Sequence, residues 1–177
     1  AEVEAKRAGN LSALAAAADL LVKDHRTQPE AAEGVWIAAT THQEVGLFIE
    51  AANYHALIAD MFPKFEHHRD AAFNAVLLRT TVGDHDKAIE SGEKFKKYYP
   101  RDDAADEVTF LMGKAHEKAG KKAEAAQLYE VREERAQREQ PDRGAGSARR
   151  GEHGRAHARD GLGARRARVF GSQEQPR

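Results

Sequence analysis

The chain has 177 residues, 32% of them charged, a formal net charge of −1 and no cysteine. Because the charge is nearly balanced, no global electrostatic field directs the chain toward nucleic acid or anionic lipid. The absence of cysteine excludes disulfides and cysteine-ligated zinc, and no apolar run approaches the roughly 20 residues that a bilayer-spanning helix needs. The sequence opens with AEVEAKRAGN, without a methionine and in a helical pattern. We therefore expect a fragment or a processed product.

Apolar residues recur at helical spacing along most of the chain. One such stripe consists of Phe48, Ile49, Ala52, Leu57, Ile58 and Met61. This spacing is typical of one face of a helix, and no window alternates with the period of two that a strand requires. The pattern predicts an all-α fold with helices at 11–25, 30–44, 48–61, 67–82, 86–98, 103–119 and 122–138.

An interval of 37 residues recurs in four columns of the sequence. The columns are Gly46, Gly83 and Gly120; Ala51, Ala88 and Ala125; Trp36, Phe73 and Phe110; and the pair Pro63 and Pro100. Glycine suits the left-handed backbone of a tight turn, a small alanine lets two helices approach closely, and proline ends a helix. Each unit is therefore predicted to be a helix, a tight turn, a second helix and a stop. Gly9 also falls at this interval.

The segment AADEVTFLMGKAHEKAGKKAEAAQLYE (104–130) resembles a tetratricopeptide repeat. VGDHDKAIESGEKFKKYYP (82–100) and VGLFIEAANYHALIADMFP (45–63) resemble parts of two more. The matching residues are Phe110, Gly113, Ala115, Gly120, Ala125 and Tyr129; Gly83, Asp84, Ala88, Phe95 and Pro100; and Gly46, Ala51, Ile58 and Pro63. The sequence departs from the family pattern at Gly92, where a large residue is expected, and at Val76, where a small one is usual.

The resemblance implies a right-handed α-solenoid of about three and a half helix pairs. We expect a partial repeat at 1–29, a repeat array at 30–138 and an Arg- and Gly-rich disordered tail at 139–177. The resemblance also implies a concave groove, lined by the first helix of each pair, that holds a peptide or a partner helix. The candidate groove residues are Glu33, Trp36, Thr40, Gln43, Asp70, Phe73, Leu77, Thr80, Glu107, Phe110, Lys114 and Glu117.

The aromatic column Trp36, Phe73 and Phe110 has two interpretations. The rings either pack between neighbouring repeats or contact a bound ligand, since aromatic side chains are frequent hot spots of interfaces. Asn74 and Lys114 lie on first helices, but the repeated basic and amide set by which the family clamps a C-terminal carboxylate is missing. The sequence therefore disfavours a carboxylate clamp.

No sequence motif predicts catalysis, a cofactor or a metal. A phosphate loop, a nucleophile elbow and a paired-carboxylate motif are all missing. His67 and His68 are adjacent, so on a helix they point about 100° apart. His116 lacks a second histidine four residues later, and His42 and His55 belong to different predicted helices. We interpret the histidines as solvent-exposed surface residues.

The expected function is a non-enzymatic protein–protein interaction scaffold. The repeat form that ends in Tyr-Pro is similar to repeats of bacterial envelope proteins, among them the outer-membrane assembly lipoprotein, the Tol-Pal coordinator protein and myxobacterial gliding-motility proteins. This similarity implies a multi-protein envelope complex and a periplasmic or outer-membrane-associated location, with the cytoplasm as the alternative. A further hypothesis is a docking module of a longer chain that carries a hydrolase domain elsewhere.

The tail differs from the rest of the chain in composition. Residues 141–177 contain nine Arg, seven Gly and only four acidic residues, and such a segment buries too little apolar surface to offset the entropy of ordering. Three interpretations stay open: a linker, sequence read out of frame, or a nucleic-acid-binding segment. The last makes a nucleic-acid-associated adaptor the alternative function.

Overall fold

The structure, a computed structural model, describes residues 2–139. Its helices are α1 (Glu2–His25), α2 (Pro29–Glu44), α3 (Phe48–Met61), α4 (His68–Val82), α5 (His85–Tyr98), α6 (Ala105–Lys118) and α7 (Lys122–Glu139). No strand occurs within 2–139, so the all-α prediction is confirmed. Six helices begin and end within two residues of the predicted bounds, whereas α1 begins at Glu2 rather than at residue 11. The predictions for the tail lie outside the described residues from position 140 onward.

The pairs α2–α3, α4–α5 and α6–α7 are joined by the same tight turn. The turn glycines are Gly46, Gly83 and Gly120, with φ of 83°, 81° and 79°. In the first turn the amide of Gly46 donates to the carbonyl of Gln43, and the amide of Leu47 donates to the carbonyl of His42. The same two hydrogen bonds recur at one and two repeat intervals further on. They form Schellman motifs, which satisfy carbonyls at a helix end and require a left-handed residue.

Gly9 falls at the same repeat interval but does not form a turn. It lies inside α1, and its backbone is helical. The surrounding sequence is rich in alanine, the residue with the highest helix propensity. One glycine in a helix costs about 1 kcal/mol. The first unit is therefore one continuous helix rather than a helix pair.

The second helices of the first two pairs also end alike. Phe62 ends α3 with φ −124° and ψ 61°, and Tyr99 ends α5 with φ −128° and ψ 56°. Each precedes a proline, Pro63 or Pro100, whose ring disfavours the helical conformation in the preceding residue. At the corresponding position of the third pair stands Gln137, and α7 continues past it. Proline thus sets the length of α3 and α5.

Each helix packs against the next one along the chain, and α4 also packs against α6. One core cluster joins α1, α2, α3 and the start of α4, with Val35 and Ile58 fully buried at its centre. A second cluster joins α4, α5 and α6 around the fully buried Val76, Phe95 and Val108. Burial of these apolar side chains is the main force that holds the helices together.

The two departures from the family pattern are matched by changes in the neighbouring side chains. A Cβ at Gly92 would overlap Met112 of α6, so the methionine fills the space that a larger residue would take. One interval after Val76 stands Gly113, where a Cβ would overlap the ring of Tyr129. Val76 and Gly92 of the second pair correspond to Gly113 and Tyr129 of the third pair, so the larger and the smaller residue exchange places. Close-packed cores tolerate such exchanges when the total volume is kept.

Candidate functional site

The predicted groove residues are spaced by three, four and three positions along α2, α4 and α6, so each set lies on one face of its helix. We call each of these three sets a groove stripe, or stripe for short. The exposed members are Glu33, Asp70, Glu107, Phe110, Lys114 and Glu117. The half-buried members are Trp36, Thr40, Gln43, Phe73, Leu77 and Thr80. The set on α6 is thus wholly exposed, whereas most members of the other two sets are partly covered.

Trp36 is enclosed by three rings. The ring of His67 stacks on it, with centroids 4.5 Å apart and planes inclined by 13°. His55 and Phe65 approach edge-on, at centroid distances of 5.4 Å and 6.3 Å. Trp36 therefore packs against α3 and the segment that precedes α4.

The other two aromatic residues of the column also contact the second helix of their own pair. Phe73 packs edge-on against the fully buried Phe95, with centroids 6.2 Å apart. Phe110 lies 6.0 Å from the ring of Tyr129 and carries the guanidinium of Arg132 at 4.9 Å from its centroid. Phe110 is nevertheless 38% exposed. It is the member of the column that offers most ring surface to a ligand.

Polar contacts at the ends of the stripes repeat in the first and third pairs. Gln43 Oε1 lies 3.0 Å from His55 Nε2, which donates the hydrogen bond. Glu117 accepts a long hydrogen bond, 3.4 Å, from the hydroxyl of Tyr129. His55 and Tyr129 are two repeat intervals apart. Trp36 and Gln43 thus both contact His55, and Phe110 and Glu117 both contact Tyr129.

Other polar members of the stripes are already engaged. The hydroxyls of Thr40 and Thr80 donate to backbone carbonyls of their own helices at 2.9 Å and 2.8 Å, and Asp70 accepts from Arg69 at 3.0 Å. Glu33 and Glu107 form no ion pair with any residue of the described range. With four carboxylates against the single ammonium of Lys114, the stripes are acidic, which favours a basic partner.

Three histidines contradict the interpretation of these residues as solvent-exposed. His42, His55 and His68 are all buried between helices. A ring N–H of His42 donates to a backbone carbonyl of α2 at 2.7 Å. His68 Nε2 donates to the carbonyl of Ala59 at 3.0 Å, while its Nδ1 accepts from the hydroxyl of Tyr99 at 2.6 Å. Buried imidazole rings with such hydrogen-bond partners are tolerated in a core.

Burial also changes the titration of one of these histidines. Desolvation lowers the pKa of His55 to about 4, so the ring is neutral at pH 7. Within residues 2–139, no group of three or more His, Cys, Asp or Glu side chains is arranged to hold a metal ion.

A surface cavity of about 720 Å³ lies where the start of α2 meets the segment after α3. Its apolar lining includes Pro29, Ala32, Met61, Phe62, Pro63 and Phe65. One interval after Ala32, Arg69 extends to Asp102 with hydrogen bonds of 3.0 Å and 2.7 Å, and Asp102 corresponds to Phe65. Alanine thus lines the cavity at a position where the next pair has a long side chain. Sequence reasoning missed the cavity, although comparing these two columns would have indicated it.

Among the helices of residues 2–139, none combines the length and the hydropathy needed to cross a bilayer. Neither the models of known protein families nor the curated protein sequences that were compared with this chain gave a match. The geometry of the helix pairs is therefore the basis for any functional proposal.

Proposed function

We propose that this chain is a non-enzymatic interaction scaffold of the tetratricopeptide-repeat type, in which stacked helix pairs form a right-handed α-solenoid. The observation that carries the proposal is the Schellman turn that recurs with the same φ and the same two hydrogen bonds at an interval of 37 residues. Helix pairs that repeat in this way bury their apolar faces by stacking, and the stack offers an extended binding surface.

The proposed binding surface is the row of first helices α2, α4 and α6. Its exposed carboxylates, Glu33, Glu107 and Glu117, together with the partly free ring of Phe110, fit a peptide or helix that presents basic and apolar side chains. The half-buried Trp36 belongs mainly to the packing of its own pair. We place the ligand contacts toward α6, where all four stripe residues are exposed.

The resemblance to repeats of bacterial envelope proteins supports a role in a multi-protein envelope complex. A periplasmic or outer-membrane-associated location is part of this proposal. The alternative function, a nucleic-acid-associated adaptor, depends on residues 141–177, which lie outside the part of the chain that the structure describes.

Peptide selection tests the proposed groove directly. The full chain is used to select binders from a random peptide display library, and the affinity of synthetic versions is measured by fluorescence anisotropy. The groove variant combines Glu33→Lys with Glu117→Lys. Its control, Glu93→Lys with Glu130→Lys, makes the same charge change at exposed positions of the second helices α5 and α7.

We expect the groove variant to bind the selected peptides about tenfold more weakly, a loss of about 1.4 kcal/mol, and the control to bind like the unmodified chain. The selected peptides should be enriched in Lys and Arg beside large apolar residues. Equal affinity of the two variants would show that the first helices do not form the binding surface.

A further inference from the structure

The three tight turns share one backbone geometry but carry different side chains in the residues after the glycine. The first turn continues with Leu47, Phe48 and Ile49, whereas the corresponding residues are Asp-His-Asp at 84–86 and Lys-Lys-Ala at 121–123. The three apolar side chains are 38%, 39% and 61% exposed, respectively. Since two turns of the same geometry have mostly charged residues there, the fold does not require apolar residues at these positions. We call Leu47, Phe48 and Ile49 the apolar turn.

A cleft lined by both apolar and basic side chains lies beside the apolar turn. It has a volume of about 440 Å³, and its lining is Val3, Lys6, Arg7, Asn10, Leu11 and Leu14 of α1 together with Thr41 and Val45. Val45 precedes the apolar turn by two residues, so the turn and the cleft belong to one end of the helix pair. Val3 is highly exposed in this cleft. We call this feature the basic cleft.

The charged residues that flank the two features have opposite signs. Glu44 and Glu50 flank the apolar turn, and both are exposed. Lys6 and Arg7 line the basic cleft and are exposed as well. None of these four side chains forms an ion pair with another residue between 2 and 139. The same end of the chain thus carries partly exposed apolar side chains with unpaired acids and a cleft with unpaired bases.

We propose that this surface is the interface of a homodimer, in which the apolar turn of each protomer occupies the basic cleft of a second copy. A two-fold axis near Val45 makes both contacts at once, because each copy carries both halves of the contact. The same arrangement brings Glu44 and Glu50 of one copy toward Lys6 and Arg7 of the other. Complementary charges around an apolar centre fix the register of such an interface.

A second copy explains this surface better than a membrane does. The two carboxylates beside the apolar turn offset the two cations of the basic cleft, so anionic lipid gains no net attraction there, whereas a second copy can pair all four charges. None of the first-helix groove residues lines the basic cleft or belongs to the apolar turn, so the proposal does not depend on the proposed peptide binding. The dimer would present two such grooves.

Sedimentation velocity of the full chain over a range of concentrations tests the proposal. We expect a concentration-dependent species of twice the 19.5 kDa chain mass. The variant Leu47→Asp/Phe48→His/Ile49→Asp copies the second turn and should be monomeric, with an unchanged far-UV circular dichroism spectrum. Exchanging the side chains of 47–49 and 84–86 keeps the composition constant and should also give a monomer. A purely monomeric full chain would overturn the proposal, as would a dimer that persists in the folded triple variant.

Charge reversal provides a test that leaves the apolar residues in place. Lys6→Glu/Arg7→Glu and Glu44→Lys/Glu50→Lys should each weaken the dimer by about tenfold, since exposed ion pairs contribute little individually. An equimolar mixture of the two variants should regain dimers. Failure of the mixture to regain them would refute the assigned contacts. Binding of a monomeric chain to vesicles of phosphatidylcholine and phosphatidylglycerol, lost in the triple variant, would assign the surface to a membrane instead.

Discussion

Replacing Gly46 or Gly9 by alanine should change stability in opposite directions, although the two glycines share one position of the repeat interval. A Cβ at either residue would have no atom within 4 Å, so steric contact does not distinguish the two substitutions. The backbone conformation does. At Gly46, with φ of 83°, alanine should lower the free energy of unfolding by about 1–2 kcal/mol. At the helical Gly9, alanine should raise it by about 0.5–1 kcal/mol.

Urea unfolding followed by far-UV circular dichroism measures both changes. The expected gap between the two variants is about 1.5–3 kcal/mol, the sum of the two opposite effects. Gly120→Ala is the matched replicate, because its φ is 79° and its Cβ would also meet nothing within 4 Å. If Gly46→Ala and Gly120→Ala were as stable as the unmodified chain, the left-handed turn would not be what specifies the helix pairs. A destabilised Gly9→Ala would show that α1 is not continuous there.

Three further predictions test the packing and the electrostatics. Because burial lowers the pKa of His55 to about 4, against about 6.5 in the unfolded chain, the unfolded state binds the proton first. Stability should fall by up to about 3 kcal/mol as the pH drops from about 6.5 to 4, and the urea midpoints of His55→Leu should follow a flatter profile in this range. Asp102→Ala removes the pair with Arg69 and a hydrogen bond to a backbone amide at the start of α6. Asp102→Ala should lower the free energy of unfolding by about 1–2 kcal/mol, as measured by thermal unfolding, and Asp102→Asn should recover part of that loss. Gly113→Ala should cost about 1–3 kcal/mol through overlap with the ring of Tyr129. A double-mutant cycle with Tyr129→Leu should recover most of that loss, and additive effects would contradict the assigned contact.

The positions of the turns could be predicted from the sequence because they depend on backbone chemistry alone. Glycine permits a positive φ, and proline restricts the residue before it, wherever they occur. Pro63 and Pro100 therefore located the ends of α3 and α5, and Gly46 and Gly83 located two turns. The same rule does not hold at Gly9, which is helical although its neighbours Ala8 and Asn10 are no stronger helix formers than Ala119 and Lys121 beside Gly120.

The environment of side chains was harder to predict than the backbone. His42 and His68 are buried because each finds a partner on the backbone or across the helix contact, and spacing along the chain does not reveal such partners. The position of Trp36 on a first helix is compatible both with a groove contact and with packing between repeats. Its enclosure by His55, Phe65 and His67 depends on the path of the chain after α3, which periodicity does not specify.

Residues that recur in all three helix pairs indicate what the fold requires. Residues that differ among the pairs are available for function. A residue such as Gly83 is shared because the turn requires it, so it gives no information about a partner. Where one structural position carries Leu47 in one pair and Asp84 in the next, the fold accepts both, and the difference is available for function. The same holds for Ala32, which lines the cavity beside α2, and for Arg69, which occupies the equivalent position of the next pair. Exchanging such columns between pairs should therefore alter binding and leave helicity unchanged, and loss of helicity on exchange would show that these positions serve the fold after all.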